Sequence, residues 1–332
     1  MKRLGNLKER FLMYENFDLA EKKARKTKTD TYGIRQFDKH REEYLQELIK
    51  HFSDGTFKSS KPQIFKMVAD AGKVRDITKM PYYPDRIAHH AVLNMVEDWL
   101  TRTFIDNTFN SVKGRGIHLC NQRLKNDLHR DLSGTQFCLK IDIRKFYQSI
   151  PLDLLKAELR RYIKDKWFIA VIDEMLDTTN GLSIGGLLSQ MFSNVYISRM
   201  DHFIKEELKV RYYYRYADDM VFLAPDKKQL HEILWRVRNY LWYNLGLELK
   251  KNWQIFKVDE RGIDYVGYVF RHTHIRIRKR VKRNFIIKRN NPKSVASYRG
   301  MLKWCDSRNL IYKTLELNNY AKQRTNTRKQ VY

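Results

Sequence analysis

The chain has 332 residues, enough for one large or two to three small domains, and a hydrophobic content of 42% can build substantial cores. Lys and Arg number 65 against 38 Asp and Glu, a net charge of +27, which is far more than solubility needs and points to a polyanionic partner. No apolar run of about 18 residues is present, so no transmembrane helix and no membrane partner are expected. The N-terminus shows no apolar signal core, and a cytoplasmic location is expected. Aromatic residues make up 13% of the chain and supply faces on which bases can stack. Cys120, Cys138 and Cys305 lie singly in apolar contexts and read as reduced core thiols. No Cys or His spacing suits zinc.

Residues 1–40 hold eleven Lys or Arg with little apolar periodicity, and read as a basic arm that orders on RNA or on a partner. Residues 37–52 have apolar positions at helical spacing. Residues 62–80 read as two strands around the turn 69–72, and residues 85–104 as an amphipathic helix. The segment 113–116 is a basic, glycine-containing turn that enters a helix. An apolar strand over 135–143 follows, then helices over 152–163 and 168–176. A loop at 181–186 leads to a long helix over 187–208.

Residues 211–225, RYYYRYADDMVFLAP, read as a β-hairpin with an acidic tip, because strand-forming residues flank Asp218 and Asp219 on both sides. Asp226 caps a helix running to 243. Short strands are expected at 247–249, 253–258, 265–270 and 275–277. From Arg271 onward there are eighteen Lys or Arg and two acids, with helical patterns at 294–305 and 309–317. That imbalance is hard to explain without phosphates.

Asp142 ends the apolar strand, in the run Lys140-Ile-Asp-Ile-Arg-Lys-Phe-Tyr147. A lone Asp there is commonly a cap or turn residue, and an Asp-Asp pair is commonly a solvated turn. With aromatic flanks and two helices between them, the three acids instead fit one edge of a single sheet. Three carboxylates can hold two Mg²⁺ ions, with Mn²⁺ as a substitute, and such ions clamp the attacking and leaving oxygens of a phosphoryl displacement. A basic, aromatic-rich chain with this constellation is expected to be a polynucleotide polymerase.

These boxes resemble the reverse transcriptases. Tyr216-Ala-Asp-Asp219 resembles their catalytic hairpin, and Asp142 the metal ligand of their first palm motif. Lys73-Val-Arg75, Pro81 and Asp85-Arg86-Ile87 are similar to the family's first motif, and residues 111–118 to its second. Residues 245–251 are similar to the fourth palm motif and residues 265–268 to the primer grip. The resemblance implies an α+β right-hand polymerase. Its expected parts are an arm at 1–40, fingers at 41–135, a ferredoxin-like palm at 136–270 with a finger-like insertion at 151–183, and a small basic helical thumb at 271–332.

The loop Ile184-Gly-Gly-Leu-Leu-Ser-Gln190 stands where intron-type and retroviral enzymes carry Gln-Gly, and resembles the enzymes of diversity-generating retroelements. Those enzymes, bacterial or phage-encoded, make cDNA from a template-repeat RNA with errors opposite adenine. They work with a small, basic, pentameric accessory protein. Retron, intron-derived or phage-defence reverse transcriptases are the alternatives, as is an inactive polymerase fold that binds RNA.

The resemblance also assigns roles. Asp142, Asp218 and Asp219 are the catalytic metal ligands, joined by the Ile143 carbonyl. Lys66, Arg75, Tyr147, Ile184, Gly185 and Gln190 face the deoxynucleotide, with Tyr147 as a gate against the 2′-hydroxyl or else a core ring. Lys113, Arg115, Arg278, Arg280 and Arg283 contact template RNA or the DNA or RNA primer. Val266, Gly267 and Tyr268 form the primer grip. Lys250 or Lys251 acts near the pyrophosphate, and the sequence does not choose between them.

Overall fold

The computed structural model describes residues 2–26, 28, 30–68, 74–178 and 181–316. It mixes helices with antiparallel sheets. A two-stranded ribbon pairs β1 (Gln63–Val68) with β2 (Val74–Lys79). A four-stranded sheet has the order β4-β5-β3-β6, from β3 (Phe137–Asp142), β4 (Tyr212–Tyr216), β5 (Asp219–Ala224) and β6 (Gln254–Lys257). A three-stranded meander joins β7 (Ile263–Tyr265), β8 (Tyr268–Phe270) and β9 (Ile275–Ile277). Among the described residues no helix is long and apolar enough to cross a membrane.

The chain divides into two compact units that cut across the boundaries expected at 40, 135 and 270. The first comprises Met1–Val112, Asp142–Lys209 and Arg236–Lys251, and the second comprises Lys113–Ile141, Val210–Trp235 and Asn252–Tyr332.

In the first unit, residues 1–40 do not behave as an arm. They form helices Lys8–Leu12, Tyr14–Arg25 and Tyr32–Asp38, and Phe11, Phe17, Ala20, Ala24, Ile34 and Phe37 are fully buried. Phe11 sits among the rings of Phe17, Phe52, Trp167 and Phe168, with centroids 5.0–5.6 Å away. The apolar positions 17, 20 and 24 keep helical spacing, but five Lys and Arg between 22 and 28 obscure it. Part of that charge is balanced locally. Arg25 pairs with Glu21 at 2.6 Å and Asp38 at 2.5 Å, and Arg41 pairs with Asp18 at 2.5 Å. Helix Ile87–Thr101 is amphipathic as predicted: it buries Ile87, Ala91, Val92, Val96 and Leu100, leaves Met95 half-buried, and packs on Tyr14–Arg25. Helix Leu187–His202 is buried on nearly every side.

In the second unit, helix Ile117–Arg130 lies against β4, where the Tyr214 hydroxyl donates to Asp127. Asp226 accepts from the Gln229 amide at 2.8 Å and caps helix Lys227–Leu245, as predicted. The strand expected over 265–270 is instead a hairpin. Val266 and Gly267 have φ of +41° and +93° and turn the chain from β7 to β8 inside an apolar run. The C-terminal helices Lys279–Ile287, which the sequence reading missed, and Pro292–Leu302 close over Ile277, Phe285 and Leu302. Cys120 and Cys138 are buried free thiols, and burial pushes both up, as expected of inert core cysteines.

Phe11→Ala is expected to cost about 3–5 kcal/mol, because it removes the hub of an aromatic cluster. Denaturant unfolding should show the loss as a lower midpoint. An unchanged midpoint would return residues 1–40 to the status of an arm.

Candidate active site

The acidic hairpin forms as predicted. β4 and β5 pair antiparallel with Tyr216 opposite Asp219, so Ala217 and Asp218 form the tip. Tyr213, Tyr214, Met220, Val221 and Phe222 are fully buried, and Asp218 and Asp219 are half-buried. Ala217 has φ +54°, a strain of order 1–3 kcal/mol that surrounding structure must hold. Arg215 contributes to that hold: its guanidinium is fully buried and donates to the Ala217 carbonyl at 3.2 Å. The Lys140 ammonium lies 3.3 Å from Asp219 Oδ2 and donates to the Asp264 carbonyl at 2.6 Å. The buried Tyr265 hydroxyl donates to the Asp219 carbonyl at 3.2 Å. Burial, then Cys120 and Asp219, push the Tyr265 phenol well up, so it stays a donor.

Asp142, the last residue of β3, falls in the first unit. Lys250 Nζ donates to its Oδ2 at 2.6 Å, and the Lys250 amide donates to its carbonyl at 2.9 Å. Lys251 is exposed on the adjoining turn, so the structure chooses Lys250 as the partner of this acid. Among the described residues Asp142 Oδ1, which is buried, has no hydrogen-bond partner. Ile143 faces Leu249, and the bonds of that bridge run to the Asp142 and Glu248 carbonyls. The Ile143 carbonyl is therefore not used in it. Among the described residues no group of three or more His, Cys, Asp or Glu stands close enough to hold a metal by itself.

Also in the first unit, the loop before helix Leu187–His202 is stitched to β2. The Thr78 amide donates to the Ile184 carbonyl at 2.9 Å. Gly185 has φ +99°, and a Cβ there would meet Ile77 Cγ2 and the Thr78 carbonyl at 3.3 Å. Its close approach is thus to β2. Gln190 Oε1 accepts from Ser111 Oγ at 2.7 Å. Tyr147 is half-buried in the short helix Phe146–Ser149, its carbonyl accepts from the Leu182 amide at 2.8 Å, and Phe146 fills the core beside it. Lys66 is exposed and stands opposite Asp76, while Arg75 stands opposite Met67, so the two are not a facing pair. The Arg75 side chain and Lys73 lie outside the described residues.

A cleft of about 480 Å³ here is lined by Thr78, Arg86, His89, His90, Gly185 and Gln190, among others, and its lining holds no carboxylate. Arg86 Nε and His89 Nε2 are buried without hydrogen-bond partners. Burial lowers His89 to about 4. Burial and then the Arg86 charge lower His90 to about 4.

Lys113 is exposed beside Gly114, and Arg115 is half-exposed. In the expected primer grip, Val266 and Gly267 form the β7–β8 tip, and the buried Tyr268 hydroxyl donates to the Met301 carbonyl at 3.0 Å. Arg278 is tied to Asp264 at 2.5 Å, Arg283 is exposed and Arg280 is half-exposed.

Residues 60–270 match the family described as reverse transcriptase (RNA-dependent DNA polymerase). The chain belongs to this family. LtrA, a group II intron-encoded protein of Lactococcus lactis subsp. cremoris, is 21% identical to this reverse transcriptase over 60% of the chain and 34% of its own length. The putative COX1/OXI3 intron 2 protein of Saccharomyces cerevisiae is 21% identical over 40% of the chain and 24% of its own length. The chain therefore spans about a quarter to a third of these curated relatives. The fold is similar to that of Candida albicans telomerase, solved in complex with a TWJ fragment of telomeric RNA. That match has a TM-score of 0.50 and 12% identity, over 74% of this chain and 55% of that one.

Reverse transcriptases use divalent metal ions, and one observation suits that demand here: the buried Asp142 Oδ1 lacks any hydrogen-bond donor among the described residues. Sequence reasoning gave no role to Lys140, Arg215 or His89, and read Tyr265 only as the first residue of the primer-grip motif. Lys140 alone had a local signal, since it precedes Asp142 by two and so shares its face of β3.

His89 is neutral in the folded protein, so its contribution to stability is present above pH 6.5 and is lost as pH falls toward 4. Between pH 7.5 and 5 that loss is about 2 kcal/mol. His89→Leu should remove this part of the acid sensitivity, measured as denaturation midpoint against pH. Parallel profiles for variant and parent would show that His89 does not titrate in this way.

Proposed function

We propose that this reverse transcriptase copies a template RNA into DNA by extending a primer with deoxynucleoside triphosphates, and that Asp142, Asp218 and Asp219 hold two Mg²⁺ ions. The acidic hairpin within the family match carries this reading. Asp142 closes β3 and Asp219 opens β5, the two central strands of the sheet. The ions would polarise the primer hydroxyl and neutralise the departing pyrophosphate. Mg²⁺ takes one or two carboxylates together with substrate phosphates, which fits acids that form no closed cage among themselves. Lys140 and Lys250 hold two of these carboxylates as oriented acceptors. The Ile143 carbonyl, unused in its bridge, is a further oxygen ligand. The β1–β2 ribbon and the carboxylate-free cleft serve as the anion-binding side of the fingers, where Arg86 and Gln190 meet phosphate and base. Tyr147 gates against the 2′-hydroxyl. The sheet acts as the palm and the basic C-terminal helices as the thumb, where Arg280 and Arg283 meet backbone phosphates.

We further infer that the enzyme belongs to the diversity-generating type. Ile184 and Gly185 stand where other types carry Gln-Gly, so that position offers no side-chain donor or acceptor. On this reading the template is a template-repeat RNA, and the partner is a small, basic, pentameric accessory protein. The intron-encoded relatives favour an intron-type enzyme as the second reading, against which the Ile184 loop stands.

Asp219→Ala is expected to take primer extension in Mg²⁺ below detection while leaving RNA affinity within about twofold, because affinity comes from distant cations. Substantial cDNA from a folded mutant would end the three-carboxylate assignment.

Ile184→Gln is expected to restore a contact of about 0.5–1.5 kcal/mol, a factor of roughly two to ten in discrimination. Sequencing of cDNA from one defined RNA should show fewer errors opposite adenine and smaller changes elsewhere. An adenine error rate equal to the parent's would leave the loop without a part in mutagenesis.

A further inference from the structure

The second unit contains a groove of about 1120 Å³ that shares no residue with the acidic hairpin. Helix Ile117–Arg130 forms one wall, and the segments 273–276 and 303–312 form the others. Gln122, Lys125 and His129 are exposed on that helix at i, i+3 and i+7, which makes one stripe along the wall.

Three kinds of group meet here. Lys125, Arg276, Lys303 and Arg308 supply four cations against one acid, Asp306. Asp306 is already used: its carboxylate accepts from the Ile275 amide at 2.9 Å, and its amide donates to the Ile275 carbonyl at 2.8 Å. Among the described residues none of the four cations forms an ion pair, unlike Arg25, Arg41 and Arg278 elsewhere in the chain. Trp304 supplies a ring face. It stacks on His118 at 4.9 Å and 18°, and stays 37% exposed. Tyr312 is a second ring, 50% exposed. Gln122, Asn126 and Asn309 supply amides that both donate and accept.

Unpaired cations alone would suit any polyanion. An acidic peptide would satisfy them but leave rings and amides without partners. A duplex presents phosphates and a shallow minor groove, with its bases stacked away from side-chain rings. Unpaired nucleotides use all three groups at once: phosphates on the cations, base faces on the rings and base edges on the amides. We propose that this groove binds a short unpaired stretch of RNA, outside the primer-template duplex. The choice of RNA over DNA rests on the reverse-transcriptase reading.

The test compares the full chain with Lys125→Gln/Arg308→Gln, with Tyr312→Ala, and with a charge-matched control, Lys228→Gln/Arg238→Gln. Fluorescence anisotropy would follow a labelled unstructured RNA oligonucleotide across a salt series, with a blunt RNA duplex and polyglutamate as rival ligands. Primer extension on a pre-annealed template would run alongside. The double variant should lower the salt slope for single-stranded RNA by about 1.4, at roughly 0.7 for each lost phosphate contact. Tyr312→Ala should weaken that RNA about tenfold, the loss of one stacked base. The control should do neither, and extension should remain at parental level. Unchanged RNA affinity and slope in both groove variants would overturn the proposal. So would equal losses for the duplex, or losses confined to polyglutamate. A parallel loss of extension would place the groove in the polymerase channel and overturn it as a separate site. If the parent binds RNA with these losses yet makes no cDNA, the polymerase reading fails and the groove stands.

Discussion

A half-buried carboxylate is costly without a partner, and at Asp219 and at Asp142 that partner is a lysine ammonium. Asp219 lies 3.3 Å from the Lys140 ammonium, and Asp142 accepts from Lys250 at 2.6 Å. Both carboxylates are half-buried, so an ammonium is screened less there than at the surface. The lysines also carry geometry. Lys140 ties Asp219 to the Asp264 carbonyl on β7, while Lys250 makes both a side-chain and a main-chain bond to Asp142. Each acid is thereby held by bonds to neighbouring elements.

A second constraint is backbone shape. The hairpin tip, the β7–β8 turn and the loop at 185 each hold a residue at positive φ: Ala217, Val266 and Gly185. Two of these residues are not glycine, so the strain must be held from outside the loop. Arg215 contributes at the first, through the Ala217 carbonyl. Around the second, Met301 stands 3.2 Å from where a Gly267 Cβ would lie, and its carbonyl accepts from Tyr268. At the third, the Thr78–Ile184 bond fixes the loop to β2. A buried arginine in a β-strand is costly unless its donors are met, and its place behind the acidic tip gives it a reason to be there.

Much of this was legible in the sequence, and the failures have physical causes. The hairpin showed because aromatic and β-branched residues flank a polar pair. The caps and the long helices showed because their spacing is local. Residues 1–40 misled because lysines fill the solvent face of helices whose inner face sets two small residues, Ala20 and Ala24, beside Phe11, Phe17, Ile34 and Phe37. Two alanines give a weak apolar signal, although here they are fully buried. The β7–β8 turn was hidden because nothing in Tyr-Val-Gly-Tyr except one glycine marks a reversal. The choice between Lys250 and Lys251 needed register across Ile143 and Leu249, which is a tertiary fact.

The distribution of charge gives the last step. A net charge of +27 raises self-repulsion within the folded chain, so unpaired cations should persist only where something offsets the cost. In the first unit Arg25 and Arg41 are matched by Asp18, Glu21 and Asp38, and the basic N-terminal segment folds as ordinary core. Among the described residues, two concave places carry cations with no ion pair. One is the cleft of Arg86 and Lys79, where the lining carries no acid and the histidines are kept neutral by burial. The other is the groove of Lys125, Lys303 and Arg308. Concave walls of low dielectric focus a field more strongly than a convex surface with the same charges. Part of the excess therefore lies where the field of a concave wall is strongest.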